Sequence, residues 1–209
     1  MERHITKRRL LIATNNPGKI KEIYALLDHL DLELISPKQL SLNIKVEENG
    51  KSYAENAALK GKAFAKTAGI LTLADDSGLE VEKLNSLPGI YSARFAPQEH
   101  ATDADRRSYL LDQLSGIPRP WIARFKCMVA LVSPYGETAF AQGTCQGEIN
   151  PKERGRNGFG YDPIFWIPEL SRTMAELSMF EKNQFSHRAK AVKAAIPSIL
   201  EMLNKLEEP

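Results

Sequence analysis

The chain is poor in several things that would mark a familiar class. Its 209 residues include two cysteines, Cys127 and Cys145, with no CxxC or histidine-rich context. That argues against a zinc site and predicts reduced thiols. No apolar run reaches the length a membrane-spanning helix needs. The formal net charge is +2, so no global basic field draws the chain to nucleic acid, and any anion binding has to be local. There is no RNP-like motif, no internal repeat and no low-complexity segment. The basic start Met1–Arg9 lacks the apolar core of a secretion signal, and a cytoplasmic protein is expected. A Walker A sequence is absent, and no Ser-His-Asp or Cys-His set is identifiable. What remains is an ordinary globular composition, 43% hydrophobic and 26% charged. The length suits a single domain over residues 1–209, with residues 1–8 as an N-terminal extension.

The most informative stretch is Leu71-Thr72-Leu73-Ala74-Asp75-Asp76-Ser77-Gly78. Leu71–Ala74 reads as a short buried strand that delivers two carboxylates to its C-terminal end. Ligands of open α/β sheets bind at that edge, and hard divalent cations prefer carboxylate oxygens. Equally, Asp-Ser-Gly is good turn chemistry, with side chains bonding local amides. On these residues alone both readings stand.

Upstream, Arg9–Thr14 predicts a first strand and Ile20, Ile23, Leu26, Leu27 and Leu30 a helix. Between them, Thr14-Asn15-Asn16-Pro17-Gly18-Lys19 forms a polar turn that aims amides and a lysine at an anion, or is a plain surface connection. Leu32–Ile35 predicts a second strand. Glu47 and Glu48 precede an Asn-Gly turn signal, and Ser52-x-x-Glu55 opens a helix to about Ala68 that Gly69 stops. Asn56 and Lys60 lie one turn apart on that helix. The order is therefore β-α-β-α-β up to the acidic pair.

Downstream, Leu79–Leu84 suggests a strand, and Arg94 is either an anion partner or a surface arginine. Thr102-x-x-Asp105 caps a helix to about Leu114. Ala123–Ser133 and Thr138–Ile149 make a hairpin, so the sheet is mixed. Gly158-Phe159-Gly160-Tyr161-Asp162 either offers aromatics to a planar ring or plugs the core with them. Thr173-x-x-Glu176 caps a short helix. Ser186 caps the last helix, in whose first turn His187 and Arg188 oppose the helix dipole; Pro197 should kink or divide it.

Taken in order, these segments resemble one family, the inosine triphosphate pyrophosphatase family of Ham1/RdgB-like noncanonical purine NTP pyrophosphatases. The resemblance rests on Thr14–Lys19, Glu55-Asn56-Ala57 within Ser52–Lys60, Ala74–Leu79, Pro88-Gly89-Ile90-Tyr91-Ser92-Ala93-Arg94, Gly158–Phe165 and Ser186-His187-Arg188. It spans nearly the whole chain after residue 9. Asn15 departs from the glycine common in bacterial members, and a short basic extension precedes the first motif.

The resemblance implies an α/β fold with an elongated mixed sheet flanked by helices, and two lobes with a central substrate cleft. It also implies a homodimer and magnesium (Mg2+) as cofactor. The implied reaction cleaves the deaminated purine nucleotides ITP, dITP and XTP to monophosphate and pyrophosphate by metal-activated water. Thr14, Asn15, Asn16, Pro17, Gly18 and Lys19 would then cradle the triphosphate. Asp76 would be the catalytic acid and a metal ligand, completed by Glu48 or Glu47. Ser77, Phe159, Gly160, Tyr161, Asp162, Lys182, His187 and Arg188 would contact the nucleotide, with Phe159 stacking on the base. A Maf-like pyrophosphatase acting on other modified nucleotides is the rival enzyme, and a non-hydrolysing nucleotide sensor the rival of another class. No nucleic acid or membrane partner is expected.

Overall fold

The computed structural model describes residues 7–207. Its seven strands are β1 (Arg8–Ile12), β2 (Leu32–Ile35), β3 (Thr72–Val81), β4 (Ile122–Val132), β5 (Thr138–Ile149), β6 (Phe165–Ile167) and β7 (Arg172–Thr173). They form one sheet in the order β2-β1-β3-β4-β5-β6-β7. β1 runs parallel to β2 and to β3. β6 runs antiparallel to β5 and to β7, so the expected mixed sheet is present. The helices are α1 (Pro17–Leu27), α2 (Tyr53–Ala68), α3 (Asp103–Leu114), α4 (Met179–Phe185) and α5 (His187–Glu207).

Local chemistry accounts for much of this. Leu10, Leu11, Ile12 and Ala13 are fully buried, as an unbroken apolar run should be in a parallel strand covered on both faces. α2 begins where the Ser52 side chain accepts from Glu55 N, and it stops at Gly69, whose φ of 66° is left-handed. Glu55 reaches one residue further back than a capping box requires and accepts from Lys51 N at 2.7 Å. α3 has the full reciprocal box between Thr102 and Asp105.

The chain divides into two compact units, one of residues 1–76, 128–141 and 191–209, the other of residues 77–127 and 142–190. The described part of the first is held by α2 and its neighbours: Phe64 packs with Leu11, Ile35 and Ala74, and Ala57 and Ala65 pack with Ala130 and Val132. The second has a larger core built on Leu79, Val81, Leu110, Phe125, Tyr161 and Phe165. Gly61 shows how close the first core is. A Cβ there would meet Val132 Cγ2 at 2.6 Å. Gly61→Ala gains helix propensity, but the stiff β-branched Val132 has to move. We expect overpacking to win by about 1–3 kcal/mol, read as a lowered denaturation midpoint.

Several expectations need correction. β3 does not end at Ala74; it runs ten residues, and Asp75 and Asp76 lie in its middle. Leu79–Val81 belongs to that same strand, and Glu82–Leu84 is a 3-10 turn. Tertiary packing of Leu79 and Val81 overrides the turn chemistry of Asp-Ser-Gly. α5 is not divided, because Pro197 lies inside the continuous helix. Arg8 already belongs to β1, and the rest of the expected N-terminal extension, apart from Lys7, lies outside the described residues.

Candidate active site

In the first unit, five charged side chains gather at the acidic pair. Asp75 is fully buried and its Oδ2 lies 2.9 Å from Lys19 Nζ. Lys60 Nζ donates to Asp75 O at 2.9 Å and lies 2.5 Å from Glu48 Oε1. Asn56, wholly buried one turn before Lys60, donates from Nδ2 to Asp76 Oδ2 at 3.2 Å. Its Oδ1 accepts from Gly50 N at 2.8 Å, which ties the Glu48 segment to the strand. Thus the shared face of Asn56 and Lys60 does meet the acids.

The electrostatics follow from this crowding. Burial pushes the Asp76 carboxyl above its usual range, and Glu48 adds to that, although Lys19, Lys60 and the Asn56 bond oppose it. Burial pulls Lys60 down, yet Asp75 and Glu48 outweigh it, and the ammonium is held above its ordinary value. The donors are all carboxylate oxygens, which suits a hard divalent cation. Among the described residues no ready cage of three acidic, histidine or cysteine ligands exists. Magnesium needs no such cage, since it is commonly held by one or two carboxylates and substrate phosphates. Glu48 stands in the cluster, whereas Glu47 beside it is exposed.

The polar turn is built differently from its reading as an open amide cradle. Asn16 is the N-cap of α1, and its Oδ1 accepts from Gly18 N at 2.9 Å and Lys19 N at 3.2 Å. The amides of Gly18 and Lys19 are therefore already bonded to the Asn16 side chain. Thr14 is buried, its Oγ1 accepting from Asn16 N, while Asn15, Asn16 and Pro17 are exposed.

The second unit brings the remaining candidates together. Lys182 and Asp162 form a buried ion pair at 2.6 Å. The same Asp162 Oδ2 accepts from Phe159 N at 2.9 Å. Phe159 is half-buried, with Lys182 Nζ 5.0 Å and Arg188 Cζ 5.5 Å from its ring centroid. Arg188 Nη2 donates to Ser77 Oγ at 2.9 Å. Ser186 caps α5 by accepting from Ala189 N. His187 and Arg188 are both buried although they open the first turn of a helix; His187 stacks on Phe125 with centroids 4.6 Å apart.

Tyr161 is a core residue. Its hydroxyl donates to Ser92 O at 2.9 Å, and burial pushes its acidity far down. Gly160 joins the loop to α3 through its backbone, donating to Asp103 Oδ2 and accepting from Arg107. Nothing local in the sequence marks Asp103 or Arg107, because their partner is a backbone more than fifty residues away. Arg94 is exposed, with its guanidinium over Tyr91.

The fold and this cluster define a mixed α/β protein with a buried carboxylate–lysine centre on one strand and a cation-flanked aromatic loop. The Ham1 family model matches residues 10–198. A protein of Desulforamulus reducens named dITP/XTP pyrophosphatase is 45% identical over 199 residues, 95% of this chain and 96% of that one. One of Nostoc sp. with the same name is 45% identical over 202 residues, covering 95% and 98%. The solved structure of a HAM1 protein from Coxiella burnetii superposes with a TM-score of 0.83 at 38% identity, covering 93% of this chain and 99% of that one. The chain belongs to the Ham1 family.

Proposed function

We propose that this protein hydrolyses noncanonical purine nucleoside triphosphates, ITP, dITP and XTP, to the monophosphate and pyrophosphate, and so cleanses the nucleotide pool. The observation that carries the reading is the gathering of Glu48, Asp75 and Asp76 around Lys19 and Lys60, in a chain 45% identical to proteins named dITP/XTP pyrophosphatase. Phosphoryl chemistry asks mainly for charge neutralisation and positioning. Lys19 and Lys60 supply fixed positive charge for the polyphosphate. Asp76, whose proton affinity burial raises, orients the attacking water and takes up its proton. Magnesium, when bound by Asp76 and Glu48, supplies further charge neutralisation at the phosphates. The amides of Gly18 and Lys19 join only if the Asn16 side chain releases them.

On the base side, Phe159 provides a face for stacking. Lys182, His187 and Arg188 supply donors for the 6-keto oxygen of hypoxanthine and xanthine. Adenine carries an amino group there, which would leave a buried donor unpaired, a penalty large enough to discriminate. A homodimer working in the cytoplasm, where the free nucleotide pool lies, belongs to the same proposal and rests on the family likeness.

A panel of nucleoside triphosphates assayed with magnesium for released pyrophosphate tests this. We expect dITP, ITP and XTP to exceed ATP and GTP by at least about 100-fold in kcat/KM. Equal rates across the panel would remove the specificity claim, and orthophosphate as the product would remove the assigned bond.

A further inference from the structure

The loop carrying Phe159 is not held by its own sequence alone. Gly160 has a φ of 61°, a left-handed conformation, and its two backbone groups are both bonded to α3. Its N–H donates to Asp103 Oδ2 at 2.7 Å, and its carbonyl accepts from Arg107 Nη1 at 2.8 Å. Arg107 is itself fixed. Its Nε and Nη2 form a two-pronged bond to Glu153 at 2.7 and 3.0 Å, which leaves Nη1 aimed at the loop. Only 12% of the Arg107 side chain is exposed. Asp103 is similarly steadied by Arg106, which pairs with its Oδ1. Burial would raise the Asp103 carboxyl, but the Gly160 amide and Arg106 hold it below its ordinary range. Nothing lies within 4 Å of a Cβ built on Gly160, so space does not hold the loop; the backbone bonds do.

We propose that Arg107, seconded by Asp103 and anchored by Glu153, is a positioning residue that sets the Phe159 face against the purine base. This rests on reading Phe159 as the base-stacking face. Arg107 touches neither phosphates nor base in this role; it acts on nucleotide affinity through Phe159.

Steady-state kinetics on dITP with magnesium, using the full chain, decide it. The variants are Phe159→Ala, Arg107→Met, their double, and Arg107→Lys. Arg107→Met is expected to raise KM about tenfold, equivalent to ~1.4 kcal/mol, with kcat within about twofold of wild type. The double variant should be no worse than Phe159→Ala alone, because Arg107 acts only through that ring. Arg107→Lys keeps a donor for Gly160 but loses the fork on Glu153, and should raise KM roughly threefold. Additive losses in the double variant would overturn the proposal while leaving the Phe159 reading intact. No KM effect of Phe159→Ala would remove the stacking reading and this proposal with it. If Arg107→Met does not fold, Arg107→Lys decides alone, and a wild-type KM overturns the assignment.

Discussion

Asp76→Asn is expected to lose turnover by about a thousandfold or more while the protein stays folded. The substitution is nearly isosteric, and the asparagine oxygen can still accept from Asn56 Nδ2, which now bonds Asp76 at 3.2 Å. What disappears is the negative charge that would hold a divalent cation and take up a proton. Stability should move the other way. Burial raises the Asp76 carboxyl above its ordinary 3.8. A carboxyl raised in the folded state contributes stability that is fully present below the unfolded value and is lost as pH rises through the folded one. At neutral pH the buried charge is therefore a burden on the metal-free fold, and asparagine removes it. Thermal unfolding in a chelator should give the variant a midpoint at pH 7 equal to or above wild type, and a flatter decline with pH above 4. Near-normal turnover would take Asp76 out of the mechanism. A large loss of stability would mean that the carboxylate is structural.

The same strand shows where a sequence is readable and where it is not. β2 occupies Leu32–Ile35, as its apolar ends predict, and α2 fills the space between Ser52 and Gly69, because caps act within a few residues. β3 was legible only as far as Ala74. Asp75-Asp76-Ser77-Gly78 has the local chemistry of a turn, and the forces that keep it extended come from distant groups: Lys19, Asn56, Lys60 and the core around Leu79 and Val81. The family resemblance singles out Asp76, but the partners that make the two acids differ could not be read: Asp75 pairs with Lys19, while Asp76 meets Asn56. His187 and Arg188 are a similar case. Two cations in a first turn look solvated until Phe125 and Ser77 are found against them. In the polar turn the contribution missed is local: Asn16 bonds the amides of Gly18 and Lys19, two and three residues on, which look open in the sequence.

Removing one member of the Asp162–Lys182 pair should produce the largest stability loss in the second unit. Both side chains are almost wholly buried and 2.6 Å apart, so their attraction is little screened. Taking one charge away leaves its partner in a poorly hydrated site, which typically costs about 3–5 kcal/mol. Asp162→Ala should therefore lower the thermal midpoint by ~10 °C for a chain of this size. It also removes the acceptor for Phe159 N, so the base-stacking loop loses its fixed shape and the nucleotide KM rises. Asp162→Asn separates the two effects. The amide oxygen can keep the Phe159 bond while the charge is lost, so stability falls but the KM change is smaller. Gly158 leaves no room for an alternative, because a Cβ there would collide with the Asp162 carboxylate at a φ of 76°. Lys182→Met combined with Asp162→Leu should recover much of the stability, since a buried pair exchanged for apolar side chains is often neutral. It should not recover KM, because the Phe159 amide has lost its acceptor and the ring one of its two flanking cations, Lys182, with only Arg188 left. Stability and KM recovering together in that double variant would show that the pair serves packing alone. A loss under about 1 kcal/mol in Asp162→Ala would show that water reaches the site and screens it.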